Sequence, residues 1–255
     1  MTRTVVVLAG GLGTRVAHLT ATDLPKALVP VGGRPFIDLK LAELVAGGAD
    51  EIVLLVGHNA AALTRHLRDA APPGVTVRCV EDGPELLGTG GAIRRALEGL
   101  PARFWVTYGD TLLEVPMQAV EGFLGAADVD GVMVVLENVD RWETSNVSVR
   151  DDRVVAYEKG APPGSHRFID YGMLLLGRDA FAARAPASAF DLGDVVSEEV
   201  GRGRLGAWVV SERFHDIGTE AAWRETDEWV RESALWDRLQ ERIQHHGQAG
   251  DLPRP

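Results

Sequence analysis

The first 110 residues alternate short runs of β-branched and apolar residues with longer stretches in which apolar positions recur every third or fourth residue. Runs rich in Val, Ile and Leu at 4–9, 51–56, 76–80 and 103–107 predict strands, and the stretches 35–46, 60–69 and 91–97 carry a helical period. A chain that returns to a strand after each helix builds a mostly parallel sheet with helices on both faces. Ligands of such sheets sit beyond the carboxyl ends of the strands. Three segments that follow strand ends should therefore converge on one cleft: the loop from Gly10 to Arg15, the turn after Val80, and Asp110.

Beyond residue 130 the texture shortens, with strands predicted at 131–136, 146–149, 154–158, 168–176 and 206–210 and brief helices at 179–183 and 192–201. This half reads as a mixed sheet that extends the first and closes one side of the cleft. No linker separates the halves, so a single domain is expected over 1–246, made of halves 1–130 and 131–218 and a charged C-terminal helix over 219–246. The tail 247–255, rich in Gly and Pro, is expected to be flexible. Trp223 and Trp229 should pack that helix on the body; Trp236 has core or capping use as its first reading and a homodimer contact as its second.

Composition narrows the function. With 255 residues and 45% hydrophobic content the chain can bury one large core. A net charge of -11 argues against general binding of nucleic acid or anionic membrane, so the cations present should be local and purposeful. The lone Cys79 excludes an intramolecular disulfide and a multi-cysteine metal site, and fits a reducing compartment. No apolar stretch approaches bilayer-spanning length, and a cytoplasmic location is expected.

The candidate chemistry starts at Leu8-Ala9-Gly10-Gly11-Leu12-Gly13-Thr14-Arg15, followed by Lys26 within Leu24-Pro25-Lys26. Glycines let successive N–H groups point into one anion-binding concavity, and Arg15 and Lys26 can neutralise the charge gathered there. A tight strand-to-helix turn with two surface cations would look the same in isolation. Next come the acidic turn Glu81-Asp82 and the cluster Gly88-Thr89-Gly90-Gly91, which would let backbone approach a base or ribose, or simply open a helix. Asp110 lies just past a buried strand and Asp216 in the far half. Mg2+ takes one or two protein carboxylates and fills its other positions with water and substrate phosphates, although either aspartate could equally cap a turn. Ser145-Asn146, Glu158-Lys159 and Asp170 place polar groups on otherwise apolar strands, where a polar ligand or an ion pair must satisfy them. Strand alternation would send Glu158 and Lys159 to opposite faces unless the strand ends there.

The ordered series Leu-Ala-Gly-Gly-x-Gly-Thr-Arg, Pro-Lys, Leu-Gly-Thr-Gly, Gly-Asp, Glu-Lys and Asp-Ile-Gly-Thr resembles the sugar-1-phosphate nucleotidylyltransferases, from residue 4 to roughly residue 230. The segment Leu87-Gly88-Thr89-Gly90-Gly91-Ala92-Ile93 is most similar to D-glycero-D-manno-heptose 1-phosphate guanylyltransferases. The resemblance implies an α/β fold, the Rossmann-like three-layer sandwich of the nucleotide-diphospho-sugar transferases. It implies that Leu8 and Ala9 lead into a cradle of Gly10, Gly11, Gly13, Thr14 and Arg15 for the phosphates of an NTP. By the same resemblance Lys26 contacts phosphate at the reacting centre, Asp110 and Asp216 hold Mg2+, Gly88 lies against the nucleotide, Lys159 meets the sugar phosphate and Glu158 the sugar. The substrates are then small molecules, an NTP and a sugar 1-phosphate.

Two departures fall where sugar identity is read: Asp170-Tyr171-Gly172 stands where many relatives have Asn-Ala-Gly or Asn-Thr-Gly, and Asn146 where many have glycine. Glu81 or Asp82 could accept from guanine N1 and N2, which favours GTP, while adenine's amino group leaves ATP open and UTP, CTP and dTTP stay open as well. A catalytically silent sugar-nucleotide sensor is the competing reading, against which stands the joint presence of Arg15, Lys26, Asp110 and Asp216. A dinucleotide-dependent oxidoreductase fits poorly, because Val16 occupies the place of the third glycine and no acidic residue ends the second strand at Val56-Gly57-His58.

Overall fold

The computed structural model describes residues 2–10, 25–57, 60–81, 83, 87–185 and 188–249, with side chains described up to residue 245. In chain order the first half contains β1 (Thr4–Leu8), a small hairpin of β2 (Pro30–Val31) and β3 (Arg34–Pro35), α1 (Phe36–Ala46), β4 (Glu51–Val56), α2 (Ala60–Ala70), β5 (Thr76–Glu81), α3 (Gly88–Ala96), β6 (Arg103–Tyr108), β7 (Thr111–Leu112) and α4 (Met117–Ala126). The second half contains β8 (Gly131–Glu137), β9 (Val147–Arg150), β10 (Arg153–Tyr157), β11 (Phe168–Gly177), α5 (Asp179–Ala182), α6 (Leu192–Gly201), β12 (Leu205–Val210), β13 (His215–Asp216), α7 (Glu220–Glu232) and α8 (Leu235–Ala249).

Among the described residues the main sheet runs β5-β4-β1-β6-β11-β8-β12-β10-β9. β1 is buried along Thr4 to Val7, as a strand with helices above and below must be, and it pairs in parallel with β4 and β6. β11 breaks the parallel run: it lies antiparallel between β6 and β8 and joins the two halves of the sheet. Its register against β8 slips between Asp170 and Leu174, and Gly172 sits in the slip at φ +87°. A bulge of this kind bends the strand and re-aims the side chains beside it. Two apolar clusters fill the opposite faces of the sheet, one centred on α1, α2 and α4 and the other on α3, α5 and α6.

Lys40, on α1, is fully buried beneath the sheet. Its ammonium group lies 3.3 Å from Glu43 Oε1 and 3.3 Å from Thr107 Oγ1, and Thr107 in turn donates to the carbonyl of Gly172 at 3.0 Å. This relay ties α1 and β6 to the bulge of β11. Burial lowers the Lys40 ammonium and pushes the Glu43 carboxyl up to about 7.

The C-terminal segment departs from the single helix expected over 219–246. It forms α7 and α8, broken at Ser233 and Ala234, where Ala234 takes φ +48°. The break lets α8 fold back on α1 and bury Leu235 and Leu239 in a third cluster, which a straight continuation would leave in solvent. Trp223, Trp229 and Trp236 all pack against that cluster, and the Arg34 guanidinium lies 4.1 Å from the Trp236 ring. Trp236 therefore has the core use named first for it. Helix α8 continues to Ala249, so residues 247–249 are helical where a flexible tail is expected; residues 250–255 lie outside the described residues. Among the described residues no helix is long and apolar enough to cross a membrane.

Candidate active site

A cavity of about 380 Å³ opens at the carboxyl ends of β1, β4 and β6, lined by Leu8, Ala9 and Gly10, by Lys26 and Ala27, by Leu87, Gly88 and Thr89, and by Tyr108, Gly109 and Asp110. The chain leaves β1 between two glycines. A Cβ on Gly57 would stand 2.7 Å from the Gly10 carbonyl oxygen, and one on Gly109 would stand 3.0 Å from that of Leu8. Both neighbouring strands thus lack side chains where the glycine loop departs. Gly11, Gly13, Thr14 and Arg15 lie outside the described residues, as do Asp82 and His58.

Lys26 opens a single 3-10 turn, Lys26–Leu28, and its Nζ bonds Asp110 Oδ2 at 2.6 Å. Asp216 is brought to the same place by β13, which pairs with β7 so that Asp216 faces Thr111 and the Ile217 N–H donates to the Asp110 carbonyl at 3.0 Å. The Gly218 N–H donates to Asp216 Oδ1 at 2.6 Å. A Cβ on Gly218 would lie 2.9 Å from that oxygen and 4.0 Å from Lys26 Nζ. Lys26 and Asp110 thus line one corner of the cavity, and Asp216, from a third distant part of the chain, stands beside them. Two carboxylates, with no softer donor bonded to them among the described residues, form a set that suits a hard divalent cation completed by water and phosphate oxygens.

A second polar group is built around the bulge of β11. Asn146 Oδ1 accepts from the Asp170 N–H at 2.9 Å, and Asp170 Oδ1 accepts from the Gly172 N–H at 2.9 Å. Burial pushes the Asp170 carboxyl up to about 6, against the bond from Gly172 and the charge of Lys159. Tyr171, the next residue along, points away into the core and meets the Phe214 ring edge-on. Burial also raises the phenols of Tyr108 and Tyr157, with the negative charges of Asp170 and Asp191 adding to the effect. The charge of Asp110 acts on Tyr108 as well, and Tyr108 lines the cavity beside it.

β10 ends at Tyr157, which frees Glu158 and Lys159 from strand alternation. The Glu158 N–H donates to the Asn146 carbonyl at 2.9 Å, and its carboxylate lies 3.6 Å from His166 Nε2. Lys159 pairs instead with Asp191 Oδ1. Partial burial pushes the Asp191 carboxyl upward, but its bonds to Lys159 and to the Gly193 N–H outweigh this and hold it below the usual range.

A model of the nucleotidyl transferase family matches residues 4–228. The chain belongs to the nucleotidyl transferase family. It is 27% identical over 214 residues to D-glycero-alpha-D-manno-heptose 1-phosphate guanylyltransferase of Campylobacter jejuni, covering 84% of this chain and 93% of that protein. It is 33% identical over 163 residues to N-acetylmuramate alpha-1-phosphate uridylyltransferase of Caulobacter vibrioides, covering 60% of this chain and 67% of that protein. Among solved structures, HddC from Yersinia pseudotuberculosis complexed with GMP-PN is 26% identical with a TM-score of 0.71, covering 89% of this chain and 99% of that one. The fold is that of the nucleotide-diphospho-sugar transferases, as expected.

Within this nucleotidyl transferase, Glu81 ends β5 as an exposed residue and does not line the described part of the cavity. Gly88 does line it, yet the glycine cluster has a second use. A Cβ on Gly88 would stand 2.6 Å from the Phe190 carbonyl oxygen, and one on Gly91 would stand 2.5 Å from that of Ser188. These glycines admit the backbone of the second half, a packing demand that ligand approach alone does not explain. Sequence reasoning passed over Thr89, Tyr108, Tyr157 and Asp191. The last carries a readable signal, since Asp191-Leu192-Gly193-Asp194 is a capping box at the start of α6, but nothing local points to Lys159. A larger cavity of about 670 Å³ opens at the opposite rim, by Arg3, Arg103 and Trp105, far from this constellation.

Proposed function

We propose that the protein is a sugar-1-phosphate nucleotidylyltransferase: it transfers a nucleotidyl group from an NTP, GTP by preference, to the phosphate of a heptose or hexose 1-phosphate and releases pyrophosphate. The observation that carries the reading is the corner where Lys26 meets Asp110 beside Asp216, at the carboxyl ends of the parallel strands. The guanylyltransferase relatives and the GMP-PN complex support the base, and the heptose relative supports the sugar class. Residues 1–130 take the nucleotide, 131–218 take the acceptor, and both work as one domain in the cytoplasm.

A sugar 1-phosphate is largely a dianion at neutral pH, because its second pKa is about 6. Its oxygen can form the new bond to the α-phosphorus as the bond to the leaving pyrophosphate breaks, with no protein nucleophile or base. The chain's task is then positioning and charge stabilisation. The backbone from Leu8 through Gly10, continued by Gly11, Gly13 and Thr14, holds the triphosphate. Arg15 and Lys26 offset charge on the α-phosphate and on the departing pyrophosphate. Asp110 and Asp216 would hold Mg2+, which when bound supplies Lewis-acid neutralisation of phosphate oxygens. Lys159 takes the acceptor phosphate, while Glu158, Asp170 and Asn146 read the sugar.

The test is pyrophosphate release across a matrix of five NTPs and a panel of sugar 1-phosphates, with Mg2+ added and with chelator. Turnover with GTP and a heptose or mannose 1-phosphate is expected. A protein that binds nucleotide yet releases no pyrophosphate with any pair would be the silent sensor instead.

A further inference from the structure

One joint connects the nucleotide cavity to the acceptor side. The Phe190 N–H donates to the Leu87 carbonyl at 3.0 Å, and the Phe190 carbonyl accepts from the N–H groups of Gly90 and Gly91 at 3.1 and 3.2 Å. The Leu192 N–H donates to Thr89 Oγ1 at 2.8 Å. Gly88, Gly90 and Gly91 make room for this approach, for a Cβ on any of them would stand 2.4 to 2.6 Å from an atom of Phe190 or Ser188. Asp191 lies between these anchored residues. Its carboxylate is therefore held in a set position relative to Leu87, Gly88 and Thr89, which line the nucleotide cavity. That carboxylate has three partners: it caps α6 by accepting from the Gly193 N–H at 2.7 Å, it pairs with Lys159, and the Thr89 hydroxyl bonds it as well.

We propose that Asp191 is a positioning residue that acts through Lys159: its carboxylate holds the lysine at the cleft when no acceptor is present, and an acceptor phosphate binds by taking the lysine over. This rests on Lys159 being the acceptor-phosphate ligand, and it adds a built-in competitor for that ligand. The geometry favours exchange over permanent pairing. Both side chains are 51% exposed, and an exposed pair is worth only a factor of about two to five in equilibrium, which a phosphate dianion can overcome. The Phe190 joint keeps the displaced carboxylate nearby, so it takes Lys159 back when product leaves.

The two roles of Asp191 can be separated. Asparagine caps a helix as well as aspartate does, so Asp191→Asn keeps the cap and removes the charge, whereas Asp191→Ala loses both. Inorganic phosphate is titrated into the full-length protein and followed by 31P line broadening, with wild type, Asp191→Asn, Lys159→Gln and the double variant. This probe needs no turnover, so it reads the Asp191–Lys159 exchange even if the substrate matrix finds no active pair. The expected result is about a two- to fivefold tighter dissociation constant in Asp191→Asn, no difference between Lys159→Gln and the double variant, and an unchanged dissociation constant for GTP. With an active pair in hand, the KM for sugar phosphate should fall by a similar factor while that for the NTP stays put. Weaker or unchanged phosphate binding in Asp191→Asn would overturn the proposal, and so would the same gain in the Lys159→Gln background.

Discussion

Asp170 offers a test in which a substitution inside the cleft should make the protein more stable. Its carboxyl sits in the bulge of β11, accepts from the Gly172 N–H at 2.9 Å and has its pKa pushed up by burial to about 6. A carboxyl whose folded pKa exceeds its unfolded value binds its proton more tightly in the folded state. Its contribution to stability is fully present below the unfolded value of 3.8 and is lost as pH rises through about 6. The difference between those values corresponds to about 3 kcal/mol at the upper end, and water reaching the cleft should leave roughly 1–3 kcal/mol. Asp170→Asn keeps an oxygen to accept from Gly172 and carries no charge at any pH. It should raise the thermal midpoint at pH 7.5 by roughly 3–8 °C for a chain of this size. The advantage should shrink on acidification and disappear near pH 4. Urea unfolding of both proteins at pH 4, 5, 6 and 7.5 reads this directly. A stability difference that stayed constant across that range would refute the reasoning, because the cause would then be packing and not charge.

Four further outcomes are expected. Asp110→Ala should lower turnover on the order of 100-fold or more, the scale of losing one preorganised electrostatic group, with little change in nucleotide affinity by calorimetry. Arg15→Ala should depress turnover comparably. Gly91→Ala should destabilise by about 1–3 kcal/mol in chemical denaturation, since its Cβ would meet the Ser188 carbonyl oxygen at 2.5 Å and only backbone could yield. Lys40→Met alone should cost roughly 3 kcal/mol at pH 8 by leaving the Glu43 carboxylate, mostly ionised at that pH, without its partner, while Lys40→Met with Glu43→Leu should return to within about 1 kcal/mol of wild type.

Much of this molecule is written locally. The valines of β1, the runs that become β4 and β6, and the period of α1 are each decided by a few neighbouring residues, which is why their bounds were readable within a residue or two. The order of the glycine, Pro-Lys, Gly-Asp and Asp-Ile-Gly-Thr motifs was enough to identify the family, because each needs its own residue types at its own spacing. The contacts that turn those motifs into a site join residues far apart in the chain. Lys26 reaches Asp110 across 84 positions and Lys159 reaches Asp191 across 32, and no periodicity encodes either pair. The break at Ala234 was likewise illegible, since it is stabilised by burying Leu235 and Leu239 on a distant helix and not by a local breaker. The glycines after Leu87 mark the boundary most clearly: the chain shows that side chains must be absent there, and only the packed fold reveals Phe190 and Ser188 in the space they leave.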